Sequence, residues 1–111
     1  MRHIAAALPA LLAASVAGAQ ANYPNRPIRL IVPYPPGGTT DFVAREVTQK
    51  LSEGWGQQVV IDNRPGAGTL IGVGLGARAT PDGYTITFGT SASLSVNPAL
   101  GVKMSFDPHK E

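Results

Sequence analysis

Small and hydroxyl-bearing residues carry what chemistry this chain can do. Pro36-Gly37-Gly38-Thr39-Thr40-Asp41 leads straight into an amphipathic stretch, and Gly66-Ala67-Gly68-Thr69 leads into a second apolar one. Glycine at such a junction lets a ligand approach the backbone N–H groups that open a helix. The positive end of the helix dipole there suits a carboxylate or another small anion. Threonine hydroxyls add donors, and a third segment offers Thr90, Ser91 and Ser93. The same residues also have a purely structural use, because Gly and Pro shape tight loops and threonines cap helices. Asp41 reads as a contact for a ligand amine or water, or as a first-turn acid facing the dipole; the second use is favoured. Arg64 could attract an anion, although an arginine beside a Pro-Gly turn more often binds loop carbonyls.

Other chemistries lack their residues. Gly72-Val73-Gly74-Leu75-Gly76-Ala77 matches the G-x-G-x-x-A dinucleotide fingerprint, but its strand ends ten residues earlier, at Asp62, not immediately before it. There is no G-x-x-x-x-G-K-[ST] phosphate loop. Ser91, Ser93 and Ser95 have no G-x-S-x-G around them, and His109 stands in an aperiodic tail, so a Ser-His-Asp triad has no motif behind it. No His, Asp and Glu cluster at ligand spacing. Neither an enzyme nor a cofactor is expected.

Three βα cycles would position the loops. Ile28–Val32 is a β-branched run between Pro27 and Pro33, hence a strand. Asp41–Glu53 reads as a helix, with Val43, Val47 and Leu51 on one stripe that Phe42 and Ala44 widen. Thr39 or Thr40 is its expected N-cap, and Gly54 and Gly56 end it. Gln58–Asp62 is a second strand. Thr69–Ala79 is a helix carrying Gly72, Gly74 and Gly76, each costing about 1 kcal/mol relative to alanine. Close packing on a sheet is what could offset that cost. The turn Thr80-Pro81-Asp82-Gly83 introduces a third strand, Tyr84–Phe88, followed by a hydroxyl-rich loop. Asn97–Leu100 could form one helical turn, and nothing from Gly101 onward is periodic. The order is that of an α/β fold with a parallel sheet and helices on its faces. Right-handed crossovers would place all three loops at the carboxyl edge of the strands, where such sheets bind ligands.

Residues 1–21 read differently from the rest. Arg2 precedes the apolar, Ala-rich run Ile4–Ala17, and Ala17-Gly18-Ala19 and Ala19-Gln20-Ala21 offer cleavage points. That is the pattern of a secretory signal peptide, cleaved near Ala19 or Ala21. Its removal leaves 90 of 111 residues, enough for one small domain. With 43% hydrophobic and 14% charged residues, the chain is not of the disordered, high-charge class. Its net charge of +2 and the lack of any Lys/Arg run give no support to nucleic-acid binding. Zero cysteines exclude a disulfide scaffold and suit export to a bacterial periplasm.

Several of these stretches together resemble one family. Tyr23-Pro24-x-Arg26-Pro27-Ile28 and Ile31-Val32-Pro33-Tyr34-Pro35-Pro36-Gly37-Gly38-x-x-Asp41 carry the resemblance, as do Val59-Val60-Ile61-Asp62-Asn63-Arg64-Pro65-Gly66-Ala67-Gly68 and Pro81-Asp82-Gly83-Tyr84-Thr85. Gly89-Thr90-Ser91 and Asn97-Pro98-Ala99-Leu100 complete it. In this order they resemble the substrate-binding receptors of tripartite tricarboxylate transporters, the Bug-type extracytoplasmic solute receptors.

The resemblance implies a periplasmic-binding-protein-like (type II) fold. Two lobes would close on a small carboxylate or related metabolite and deliver it to membrane transporter subunits. Motif by motif, the implied contacts are Pro36, Gly37, Gly38, Thr39, Thr40 and Asp41, then Ala67, Gly68 and Thr69, then Thr90, Ser91 and Ser93. Family members are much longer than this chain. Residues 22–100 are therefore expected to be the N-terminal α/β lobe, incomplete and holding half the cleft, with 101–111 a tail leading to a missing second lobe. The glycine-rich second helix also departs from the Ala-rich segment that the family leads one to expect. Two other readings make different claims. A non-functional truncated remnant would show no cooperative unfolding, and a small secreted serine hydrolase would be labelled by a serine-directed phosphonate.

Overall fold

A computed structural model describes residues 22–110; the expected leader over 1–21 lies outside the described residues, as does Glu111. Strand β1 is Ile28–Val32, β2 is Val59–Asn63 and β3 is Thr85–Thr87. They form one parallel sheet in the order β2-β1-β3. The most apolar strand is central because both its edges and both its faces are covered. Ile28, Leu30, Ile31 and Val32 are all at most 4% exposed. β2 starts one residue later than its apolar run suggests, and β3 is shorter by one residue at each end.

Helix α1, Thr39–Trp55, connects β1 to β2, and α2, Leu70–Ala77, connects β2 to β3. Since β2 and β3 flank β1 on opposite sides, right-handed crossovers put the two helices on opposite faces. On the α1 face Ile28, Leu30 and Val32 meet Ala44 and Val59, with Leu51, Ile61 and Ile86 packed around them. Ile31 occupies the α2 face.

The structure corrects the expected details of α1. Thr39 and Thr40 lie inside the helix, and the N-cap is Gly38, in extended conformation with no side-chain cap. Asp41, two residues beyond Thr39, reaches back instead: its carboxylate accepts the Gly37 N–H at 3.0 Å, one residue before the N-cap N–H that a capping box would use. The inward stripe also differs. Asp41, Ala44 and Thr48 are buried, whereas Val43 and Val47 are each 43% exposed and Phe42 is 66% exposed. Hydrogen bonds from Gly37 and Asn63 to Asp41 tie the rotation of the helix to the loop and to β2, and of the expected stripe Ala44 and Leu51 stay against the core. At the other end Gly56, at φ 66°, caps the helix, its N–H donating to Ser52 O.

The glycines of α2 have the close-packing use expected of them. A Cβ on Gly72 would lie 2.6 Å from Arg64 O and 2.9 Å from Pro33 Cα, and one on Gly76 would meet the Thr87 side chain. Only a helix without side chains at these positions can sit that close to the ends of β1, β2 and β3. A 3₁₀ turn, Ala67–Thr69, precedes α2.

The stretch after Thr90, expected to be a loop, is helical. A wide turn at Ala92–Val96 runs into α3, Asn97–Ala99. Leu94 N–H and Ser93 Oγ both donate to Thr90 O, at 3.0 and 2.9 Å, so the serine supports the first turn rather than breaking it. Residues past Gly101 contain no further helix or strand among those described, but they return over α2. Phe106 is buried, and Arg78 donates to Ser105 Oγ at 3.0 Å.

Candidate functional site

Each strand ends in one of the three loops singled out by the sequence, so all of them fall at the carboxyl edge of the sheet. Side chains bind them to one another. Tyr34, just past β1, places its hydroxyl 3.1 Å from Thr90 Oγ1, just past β3. Asn63, the last residue of β2, donates through Nδ2 to Tyr34 O at 3.1 Å and to Asp41 Oδ1 at 2.9 Å. Asn97 of α3 donates to Gly68 O at 3.0 Å. The first, second and third loops thus form one surface.

Asp41 is the anchor of the first loop. It is 3% exposed and accepts from Arg45 Nε at 2.8 Å, Gly37 N–H at 3.0 Å and Asn63 Nδ2 at 2.9 Å. Those donors, Arg45 first, hold its carboxyl down at about 2 from an ordinary 3.8, because each stabilises the charged form. The Gly37 N–H already has a carboxylate, so the N–H groups left for a ligand are those of the N-cap and first turn of α1, at Gly38, Thr39, Thr40 and Asp41. Pro36, Gly37, Gly38 and Thr39 are exposed and Thr40 half-buried.

The second loop has an unusual backbone. Gly66, Ala67, Gly68 and Thr69 all have positive φ, at 126°, 50°, 61° and 81°. For the two non-glycine residues such conformations cost of order 1–3 kcal/mol each. Thr69 is 5% exposed, and its Oγ1 is buried without a hydrogen-bond partner. Ala67 and Gly68 are exposed.

In the third loop, Ser93 is fully buried and its Oγ is occupied by Thr90, accepting the Thr90 N–H at 3.1 Å and donating to Thr90 O. Thr90 is half-buried and Ser91 exposed. Tyr34, Asn63 and Asn97, which link the loops, were not singled out as site residues. Their signal was positional: Tyr34 and Asn63 stand where β1 and β2 give way to loops, with polar groups able to bridge.

Arg64 is not directed at this edge as an unpaired cation. Its Nε pairs with Asp62 at 2.8 Å, and Arg29 Nε binds the other oxygen of Asp62 at 2.7 Å. Burial opposes ionisation of Asp62, but hydrogen bonds from Arg64 and Arg29 outweigh it and lower its pKa. Among the described residues no group of three His, Cys, Asp or Glu could hold a metal ion. What this edge offers is neutral: backbone N–H groups, threonine and serine hydroxyls and one orphaned hydroxyl. Such a set orients an anion without a counter-charge.

Comparison with known proteins agrees with this geometry. Residues 43–111 match the model of the tripartite tricarboxylate transporter family receptor. The chain is 45% identical over 101 residues to a UPF0065 protein of Bordetella pertussis, covering 91% of this chain and 31% of that one. It is 43% identical over 90 residues to protein BugT of the same organism, covering 77% and 28%. Among solved structures, MatC from Rhodopseudomonas palustris with bound malate superposes with a TM-score of 0.75 at 35% identity, over 79% of this chain and 30% of that one. A second R. palustris protein, solved with adipate, gives 0.74 at 40% identity, over 78% and 29%. The chain therefore spans about 30% of the length of the curated relatives it matches.

Proposed function

Because this chain belongs to the tripartite tricarboxylate transporter receptor family, we propose that its carboxyl edge is one wall of a cleft for small carboxylates. The observation that carries this reading is the cross-linking of three post-strand loops into one surface by Tyr34–Thr90, Asn63–Asp41 and Asn97–Gly68. A ligand carboxylate would lie against the first turn of α1. Pro36, Gly37, Gly38 and Thr39 would shape the approach, with Thr40 adding a hydroxyl and Asp41 holding the loop. Ala67, Gly68 and Thr69 would form the second side, and Thr90 and Ser91 the third, with buried Ser93 holding Thr90 in place behind them. Two structural neighbours carry malate and adipate, which supports a four- to six-carbon dicarboxylate as the ligand class.

The role is binding rather than catalysis, and it places the protein in the periplasm, exported through the leader over residues 1–21. The opposing wall would come from the part of the receptor that the relatives have and this chain does not span, and loaded receptor would pass its ligand to transporter subunits in the membrane. One wall excludes little water and orders few ligand atoms. Binding of malate or adipate to this chain alone is therefore expected in the millimolar range, with NMR shifts confined to residues 37–41, 67–69 and 90–93. Shifts elsewhere, or micromolar affinity by calorimetry, would overturn this half-cleft reading.

A further inference from the structure

Pairing of charges is uneven over this fold. Arg26 pairs with Asp82, Arg45 with Asp41, Lys50 with Glu53 and Lys110 with Asp107. On the α2 side of the sheet the balance fails. Arg29 and Arg64 share the single carboxylate of Asp62. Arg78 has the Ser105 hydroxyl as its hydrogen-bond partner, and neither it nor Lys103 has a carboxylate partner among the described residues. No run of basic residues announces this patch, since it draws on residues far apart in sequence that β1, β2 and α2 bring to one side.

Two shallow grooves mark the same face. One, of about 350 Å³, lies over β2 where α2 does not reach; Arg29, Val60 and Asp62 line it together with Pro27. The other, of about 400 Å³, runs along the outer side of α2 between Ile71, Leu75, Arg78 and Lys103. Arg64 joins them, because its carbonyl abuts α2 at Gly72 while its guanidinium reaches Asp62. Val60 is 46% and Ile71 50% exposed. Arg29, Arg64, Arg78 and Lys103, with Asp62 as the one carboxylate paired among them, and exposed branched side chains thus lie on the α2 side of the sheet.

We propose that this face is a docking surface for an acidic protein segment, distinct from the carboxylate-binding edge. Guanidinium groups hold carboxylates in forked, directional pairs, and Val60 and Ile71 supply apolar area between them. Only part of each arginine's donor set is occupied by Asp62, so a second carboxylate has N–H groups to meet. A lipid surface is the less favoured occupant. Binding to anionic headgroups uses a projecting polybasic cluster, whereas these cations line grooves.

The test uses the full chain, isotope-labelled, and a short synthetic peptide of alternating leucine and glutamate. Amide shifts should map to Arg29, Val60, Arg64, Ile71, Arg78 and Lys103, and they should shrink as salt is added. Arg78→Glu with Lys103→Glu, two exposed positions without carboxylate partners, should weaken the peptide on the order of tenfold. Malate shifts at the loop edge should stay as they were, so failure here is distinguishable from failure of the carboxylate reading. If the double reversal unfolds the chain, Arg78→Gln with Lys103→Gln serves the same comparison. Equal binding of the lysine–leucine counterpart peptide overturns the proposal. So do shifts confined to residues 37–41, 67–69 and 90–93, or tighter binding to phosphatidylglycerol vesicles than to the peptide.

Discussion

Asn63 Nδ2 donates to Asp41 Oδ1 at 2.9 Å while also donating to Tyr34 O at 3.1 Å. One amide at the end of β2 thus holds both the loop that leaves β1 and the first turn of the helix that follows. Asn63→Ala would leave a buried carboxylate oxygen and a loop carbonyl short of a partner. The expected loss is about 1–3 kcal/mol of stability, read by denaturant unfolding. The Gly37 and Thr39 amide resonances should move, whereas those of β3 should not.

Acid should weaken the fold through the same network. Asp41 is held at about 2 against an ordinary 3.8, by Arg45, then Gly37 and Asn63. Its ionised form belongs to the folded state, so its contribution is complete above 3.8 and is lost as pH falls toward about 2. Asp62 and Asp82 are shifted the same way. Thermal midpoints should be flat near neutrality and fall below about pH 4. Asp41→Asn should lower the midpoint at neutral pH and flatten the acid limb.

Two glycines of α2 should respond oppositely to alanine. At Gly72 the new methyl meets backbone, Arg64 O at 2.6 Å and Pro33 Cα at 2.9 Å, and overpacking against atoms that cannot rotate away costs about 1–3 kcal/mol. At Gly74 it meets Ser105 Oγ at 3.0 Å and the Arg78 guanidinium, both ends of side chains that can move. There the helix propensity of alanine should prevail, with a gain of up to about 1 kcal/mol. Chemical denaturation of both variants checks the contrast, and equal effects would contradict the packing described for α2.

Thr69→Val separates stability from binding. The shape is kept and the buried, partnerless hydroxyl is removed, so stability should rise, by about 1 kcal/mol. If that hydroxyl serves a carboxylate, malate binding should weaken by a few fold at the same time. A stabilised variant with unchanged malate shifts would remove Thr69 from the proposed ligand set.

Much of the fold is legible in the sequence because its signals are local. Prolines 27 and 33 bracket β1, Gly56 stops α1 although Gly54 stays inside the helix, and Pro81-Asp82-Gly83 turns the chain into β3. Even the glycines of α2 announced close packing. The face of α1 is only partly legible: Val43 and Val47 satisfy a helical period, yet hydrogen bonds from Gly37 and Asn63 to Asp41 turn the helix so that Asp41 and Thr48 face inward beside Ala44 and Leu51. The segment after Thr90 reads as loop because serines seldom propagate a helix unaided. Ser93 does so by bonding to Thr90, a contact visible only once the turn is formed.

Taken alone, the sequence determines the three βα cycles, the parallel sheet and the placing of Gly, Ser and Thr loops at one edge. Each of these follows from residue preferences acting within a few positions. Tertiary structure decides which groups at that edge remain free. It gives the Gly37 N–H to Asp41, leaves Thr69 Oγ1 without a partner and joins Tyr34 to Thr90 across 56 positions. It also gathers Arg29, Arg64, Arg78 and Lys103 onto one face. Hydrogen bonds and unbalanced charges depend on distance in space, and here the partners come together only after β1, β2 and β3 are aligned.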